Sequence, residues 1–154
     1  VNVSPETLLS GDLSTTLAGA APVVVELTEH AAVDDYGALH ESVNRLRQQG
    51  ALFAVDDAGA GFSSLRHILL LEPDIIKLDI SLTRDIDHDR RKRALASGLI
   101  SFATESEIEV VAEGIENEAE LEALTELGAR YGQGYLLGKP APLADSELSG
   151  TATG

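Results

Sequence analysis

The sequence predicts an α/β fold of the (β/α)8 TIM-like barrel type, incomplete, with about six of the eight strands in this chain. Three observations carry that expectation. Short runs rich in Val and Ile alternate with stretches of helical period. Each run ends on a side chain that can bind a metal or form a hydrogen bond: Asn2, Glu26, Asp56, Lys77, Glu113 and Gln133, at intervals of about 20 to 36 positions. That spacing suits a strand, its crossover helix and the next strand. A doubly wound sheet needs chemistry only at the loops of one switch point, whereas a barrel gathers every strand's C-terminal end around one centre.

The elements follow in order. Val1-Asn2-Val3 leads into Ser4-Pro5, a cap followed by proline at the first helical position. Val23-Val24-Val25 ends at Glu26, and a helix expected from Asp34 to Gln49 stops at Gly50. Leu52-Phe53-Ala54-Val55 runs straight into Asp56-Asp57, and adjacent carboxylates are costly to hold unless something positive sits between them. Ala58-Gly59-Ala60-Gly61 has almost no side chain, so its backbone can approach a charged ligand closely. Ser63-Ser64 then offer caps for a helix over Leu65 to Leu71 that stops before Pro73. Strand, paired acids, glycine loop and helix start describe a metal and phosphate site. Ile75-Ile76 leads to Lys77-Leu78-Asp79, and a helix from about Asp89 to Glu105 sets Leu95, Leu99, Ile100 and Phe102 at roughly helical spacing. Val110-Val111-Ala112 ends at Glu113, Asn117-Glu118-Ala119-Glu120 resembles a capping box whose helix closes at Gly128, and Tyr131-Gly132-Gln133-Gly134-Tyr135 carries Gln133.

At 154 residues the chain is well short of the roughly 250 typical of that barrel, begins inside a strand-like segment and contains no Met. It therefore reads as the C-terminal part of a larger domain, residues 1–143, with two strands and their helices expected before Val1. Ala144 to Gly154 is a small-residue, polar tail expected to be disordered. A hydrophobic fraction of 44% with 24% charged residues describes a soluble domain able to bury a core, without a membrane segment or signal peptide. The absence of Cys excludes disulfides and thiolate metal sites. A net charge of −15 argues against a hold on long nucleic acid. An acidic protein that binds a phosphodiester needs cations to mediate, and carboxylates and amides are the hard oxygen ligands that suit Mg²⁺ or Mn²⁺.

The motifs VNVS with Asn2, ELTE with Glu26 and Glu29, DDAGAGFSSL from Asp56 to Leu65, IIKLD from Ile75 to Asp79, VVAEGIE from Val110 to Glu116 and YGQGYLLGKP from Tyr131 to Pro140 resemble, in order and spacing, successive motifs of EAL domains. These are the bacterial phosphodiesterases that linearise cyclic di-GMP to pGpG. The resemblance implies that Asn2, Glu26 and Asp56 ligate one divalent ion while Asp56, Asp57 and Glu113 serve a second, Mg²⁺ or Mn²⁺. It makes Lys77, Glu113 and Asp57 the catalytic group: Lys77 to steady charge or orient the nucleophilic water, Glu113 to double as a proton acceptor. Glu29 would hold the loop containing Gly59 and Gly61, and Asp79, Glu116 and Gln133 would line the same face. The resemblance further implies a cytoplasmic domain, a homodimer contact at the glycine loop, and upstream sensor or GGDEF-type domains in the parent chain, which would also supply any membrane tether.

Two departures from the family pattern matter. The Glu-Ala-Leu signature on an earlier strand is absent, and with it one carboxylate of the first metal site and an Arg for the substrate phosphate, so the fragment alone is expected to be impaired. In the loop, Ala58 replaces a usual Phe and Phe62 a usual Tyr, which removes an anchor.

Each residue also has a plainer reading. Asp56-Asp57 alone would be better read as a helix cap with a solvated turn, and only the other strand ends reverse that. Glu26 and Glu29 could be surface charge, Lys77 could form a structural ion pair with Asp79 or Asp74, and Gln133 could satisfy backbone groups in a tight turn. His30, His40, His67 and His88 lack ligand spacing and read as surface or cap residues. Asp85 to Asp89 lacks the glycine and closing Glu of an EF-hand, and Arg90-Arg91-Lys92-Arg93 reads as a solvated face. Two further function classes stand beside hydrolysis: a catalytically inactive EAL domain that acts as a cyclic di-GMP receptor or interaction module, and a barrel enzyme of unrelated chemistry.

Overall fold

The computed structural model describes residues 1–10, 23–27, 33, 35–59 and 61–139, with the side chains of residues 62 and 63 excepted. Six parallel strands form one sheet in chain order: β1 Asn2–Val3, β2 Val24–Leu27, β3 Leu52–Ala58, β4 Ile75–Leu78, β5 Glu109–Ala112 and β6 Tyr131–Gly132. Every strand pairs with its neighbour in sequence and the order never reverses, which a doubly wound sheet would require. The α/β class and the incomplete barrel are both as expected, and among the described residues β1 and β6 are the two ends of the ladder.

Six helices are described: α1 Pro5–Ser10, α2 Tyr36–Gln48, α3 Phe62–Leu71, α4 Ile80–Thr83, α5 Arg90–Glu105 and α6 Glu118–Glu126. The starts of α2, α5 and α6 follow from side-chain caps. Asp35 accepts the Ala38 N–H at 2.9 Å, Asp89 accepts that of Arg91 at 2.8 Å, and Asn117 accepts that of Glu120 at 3.0 Å, each relieving donors that the first helical turn leaves unpaired. Arg45 and Arg47 sit in the last turn of α2, where cations oppose the helix dipole, and Gly50 at φ +87° ends that segment.

Several local readings are corrected or extended. Helix α3 starts earlier than Leu65, with Gly61 at the N-cap position, and Ser64 lies inside it, donating its hydroxyl back to the Gly61 carbonyl at 3.0 Å. Helix α4 had no sequence signal: four residues, two of them β-branched, are too few for periodicity to show. His67 is buried against the Tyr36 ring, with centroids 5.8 Å apart, rather than at the surface. The basic run opening α5 is also partly engaged, since Lys92 Nζ donates to the Arg84 carbonyl and Arg93 pairs with Glu126 at 2.9 Å. Ala144 to Gly154 lies outside the described residues.

The two faces of the sheet differ because strand side chains alternate. Val25 and Leu27, Phe53 and Val55, Ile76 and Leu78, and Val110 and Ala112 point one way and are buried. Helices α2 and α3 pack on β3, and α5 on β5. Leu39, Val43 and Leu46 of α2, and Ala96, Leu99, Ile100 and Ala103 of α5, recur at helical spacing and complete this core. Burying each large aliphatic side chain stabilises the fold by about 1.5–3 kcal/mol. Glu26, Ala54, Asp56, Ile75, Lys77 and Val111 belong to the opposite face, the one a closed barrel would enclose.

Candidate active site

Strict alternation cannot direct two consecutive residues to one face, yet the paired acids of β3 both belong to the site. A bulge resolves this. Val55 pairs with Ile76 and Ala58 with Leu78, so Asp56 and Asp57 together stand opposite Lys77 alone. Asp57 takes the positive φ of 55° that the extra residue demands, a conformation Asp tolerates better than most side chains. The Asp57 N–H then donates to Asp56 Oδ1 at 3.0 Å. One carboxylate oxygen from each of Asp56, Asp57 and Glu113 lies within 4.8 Å of the others, a cluster of hard oxygen donors suited to a divalent ion.

Lys77 is the centre of the charge arrangement. Its ammonium lies 2.8 Å from Glu113, 2.9 Å from Glu26 and 3.3 Å from Asp56, and its side chain is 12% exposed. The expectation that converging strand ends meet is met across four strands, since these residues come from β2, β3, β4 and the end of β5. Neither plainer partner for Lys77 is used. Asp74 pairs instead with Arg47 at 3.1 Å and accepts the Phe53 N–H at 2.7 Å at the opposite end of the strands. Asp79 caps α4 by accepting the Ser81 N–H at 2.9 Å.

Burial opposes a charge on Lys77, but its hydrogen bonds to Glu113 and Glu26, with the added field of Asp56, outweigh that and raise its pKa above the ordinary lysine value. Burial also raises Glu113, and although the bond to Lys77 pulls the other way, the charges of Asp56 and Glu26 add to the rise.

The backbone ladder continues beyond the strand ends to fix these residues. The Glu113 N–H donates to the Leu78 carbonyl at 3.1 Å, Asp79 to Ala58 at 3.1 Å and Gln133 to Ala112 at 2.8 Å. Asn2 pairs in register with Glu26 on β2, which places both on the same face. Gln133 is exposed and, with Asp57, Asp79, Glu113, Glu116 and Tyr135, lines a cleft beside the carboxylates. Gly134 is required there, because a Cβ would stand 2.1 Å from the Ile115 carbonyl oxygen. The carboxylate of Glu116 is held by Arg84 through paired hydrogen bonds, one at 2.6 Å. Gly59 and Gly61 are at the ends of the loop after β3, and Glu29 lies outside the described residues.

Several contributors escaped sequence reasoning. Glu120, expected as a capping-box member, is buried and accepts the N–H groups of Asp85 at 3.0 Å and Glu116 at 2.9 Å, with Arg84 nearby. Burial pushes its pKa up, but these backbone bonds prevail and lower it. The buried Thr83 donates its hydroxyl to the Glu113 carbonyl. The AEG sequence around Gly114 was the available signal for a close approach by another element, and that element is α4.

Comparison with known proteins identifies the family. The family model described as EAL domain matches residues 1–140. The chain is 34% identical over 120 residues to the bifunctional diguanylate cyclase/cyclic di-GMP phosphodiesterase MucR of Pseudomonas aeruginosa, covering 78% of this chain and 18% of that protein. It is 30% identical over 153 residues to the probable cyclic di-GMP phosphodiesterase PdeA of Escherichia coli, covering 94% and 21%. The chain thus spans about a fifth of the length of these curated relatives. A solved structure of Klebsiella pneumoniae BlrP1 in complex with manganese and cyclic di-GMP superposes with a TM-score of 0.78 at 32% identity, over 88% of this chain and 37% of that one. The ordered motifs, the singly wound parallel sheet and these matches agree that the chain belongs to the EAL domain family.

Proposed function

We propose that this chain carries most of the catalytic face of a metal-dependent phosphodiesterase that hydrolyses cyclic di-GMP to linear pGpG in bacterial second-messenger signalling. The observation that carries the reading is the meeting of Glu26, Asp56 and Glu113 around Lys77, with Asp57 turned alongside them by the bulge. The relatives named as cyclic di-GMP phosphodiesterases support it.

Two hard divalent ions are assigned to the donor set, and the clustered oxygens of Asp56, Asp57 and Glu113 suit one of them. Asn2, Glu26 and Asp56 would hold one, and Asp56, Asp57 and Glu113 the other, with Mg²⁺ or Mn²⁺ as the ions. When bound, such ions polarise the phosphoryl oxygens and lower the pKa of a water. In the overall reaction a water oxygen bonds to phosphorus, the P–O3′ bond breaks and O3′ leaves with a proton. Lys77 serves as a fixed cation facing charge that develops on the phosphoryl group, a role preorganised by its three carboxylate partners. Glu113 is the carboxylate assigned to accept a proton from the attacking water, Asp57 completes the catalytic group, and the glycine loop lets backbone approach the substrate. Asp79, Glu116 and Gln133 position substrate along the cleft, and Glu29 steadies the loop containing Gly59 and Gly61. The same reading places residues 1–143 in one EAL domain of a cytoplasmic homodimer, with the Glu-Ala-Leu strand and sensor or GGDEF-type domains upstream.

The test is to incubate this chain, beside a version extended upstream, with cyclic di-GMP and Mg²⁺ or Mn²⁺ and to follow the linear product by chromatography. Product from the extended chain is expected, and little from the shorter one. Binding without product from either moves the domain to the receptor class.

A further inference from the structure

Asp56 and Asp57 lie near the end of β3 and Glu113 directly follows β5, two strands separated in the ladder by β4, and α4 packs against the residues that come after both. Its contacts are unusually close on both sides. Gly59 has φ +107°, and a Cβ there would stand 2.9 Å from Leu82 Cδ2. Gly114 has φ +70°, and a Cβ there would meet Ile80 Cγ1 at 2.3 Å. Both glycines give way to α4 side chains, Leu82 reaching the loop after Asp57 and Ile80 the residue after Glu113. The helix is itself fixed at its start, where the Asp79 N–H donates to the Ala58 carbonyl at 3.1 Å. At its end Thr83, fully buried, gives its hydroxyl to the Glu113 carbonyl, while its other acceptor, Ile80 O, is at 3.4 Å. The next residue, Arg84, grips Glu116 three positions further along the same loop.

We infer that α4 is a spacer that sets the separation of the β3 and β5 carboxylates, and that Thr83 is the positioning residue through which it holds Glu113 in register with Asp56 and Asp57. Thr83 touches no carboxylate oxygen of the cluster. It acts on the main chain of Glu113, whose carbonyl loses its partner if the hydroxyl is removed. The inference rests on the reading of these carboxylates as a metal site. Groups that orient metal ligands from behind are typically worth 10–100-fold in metal affinity.

The experiment compares Thr83→Val, Thr83→Ser and Ser42→Ala in the full-length protein by Mn²⁺ titration in a calorimeter, thermal melting without metal, and hydrolysis of cyclic di-GMP. Ser42 is a buried residue of α2 that hydrogen-bonds its own helix, so its variant reports a purely structural loss. Thr83→Val is expected to weaken Mn²⁺ binding about tenfold or more, Thr83→Ser to restore it to within about threefold of wild type, and Ser42→Ala to lower the melting temperature without changing Mn²⁺ affinity. Wild-type Mn²⁺ affinity in Thr83→Val overturns the inference, as does a loss in Thr83→Val that Ser does not rescue. Intact Mn²⁺ binding and the same Thr83 pattern in a protein that hydrolyses nothing would support the spacer and refute the phosphodiesterase reading. A wild-type protein that binds no Mn²⁺ overturns both.

Discussion

Lys77 is where single residues and chemistry meet most directly, because one ammonium separates Glu26, Asp56 and Glu113. Replacing it by Met removes the cation and leaves three carboxylates facing one another. Lys77→Met is therefore expected to lower stability by about 3 kcal/mol, and hydrolysis by about 100-fold or more. Mn²⁺ should recover more of the lost melting temperature in the variant than it adds to wild type, since a bound cation substitutes for the missing charge. A melt with and without Mn²⁺ checks this, and an equal metal response in both proteins would oppose it. At this scale the strand-end residues were legible, because a parallel strand delivers its last side chains to the loop side whatever its neighbours are. The orientation of Asp57 was not. It depends on the slip between β3 and β4, and pairing register is set by tertiary contacts that one strand's sequence does not contain.

Among the elements, the joint between α4 and α6 is held by Glu120, which binds the backbone of Asp85 and of Glu116. Its pKa lies below the ordinary glutamate value of 4.5, so the fold favours the ionised form. That contribution is present in full above the ordinary value and is lost as pH falls through the folded value. Urea midpoints should thus drop for wild type between about pH 5 and about pH 3, and drop less for Glu120→Gln, which is expected to be less stable at pH 7 by about 1–3 kcal/mol. Parallel pH curves for the two proteins would contradict this. On the far side of the cleft, Gly134→Ala would drive a Cβ into the Ile115 backbone, and a loss of about 3 kcal/mol in the denaturant midpoint is expected. Long helices such as α2 and α5 were legible to within a few residues from caps and period, and α4 was not. Its four residues are helical because Asp79 caps them and the glycines on either side leave room, neither of which is a local propensity.

Among the described residues the sheet is a ladder with two ends, β1 and β6, and an inner face on which Leu52 is 46% exposed. Unpaired strand edges are templates for further pairing. This chain made alone is expected to associate, and a version extended by two strands to sediment as a discrete species. A sharp monomeric boundary with cooperative unfolding for the short chain would count against that. The fold class and the convergence of the strand ends were readable because both follow from a repeat of strand and helix with chemistry at one end of each unit. The charge pattern within the centre was not readable, since Asp74 and Asp79 lie far nearer Lys77 in sequence than Glu26, Asp56 and Glu113, and only the sheet order brings the distant three to it. Among the described residues no helix is long and apolar enough to cross a membrane.

Hydrolysis in ¹⁸O-labelled water addresses the centre directly. With cyclic di-GMP, Mn²⁺ and the full-length protein, mass spectrometry should find linear pGpG carrying one ¹⁸O in its terminal phosphate, and Asp56→Asn should abolish its formation. Intact cyclic di-GMP after prolonged incubation, or undiminished product from Asp56→Asn, would contradict the assignment of these converging carboxylates to phosphodiester hydrolysis.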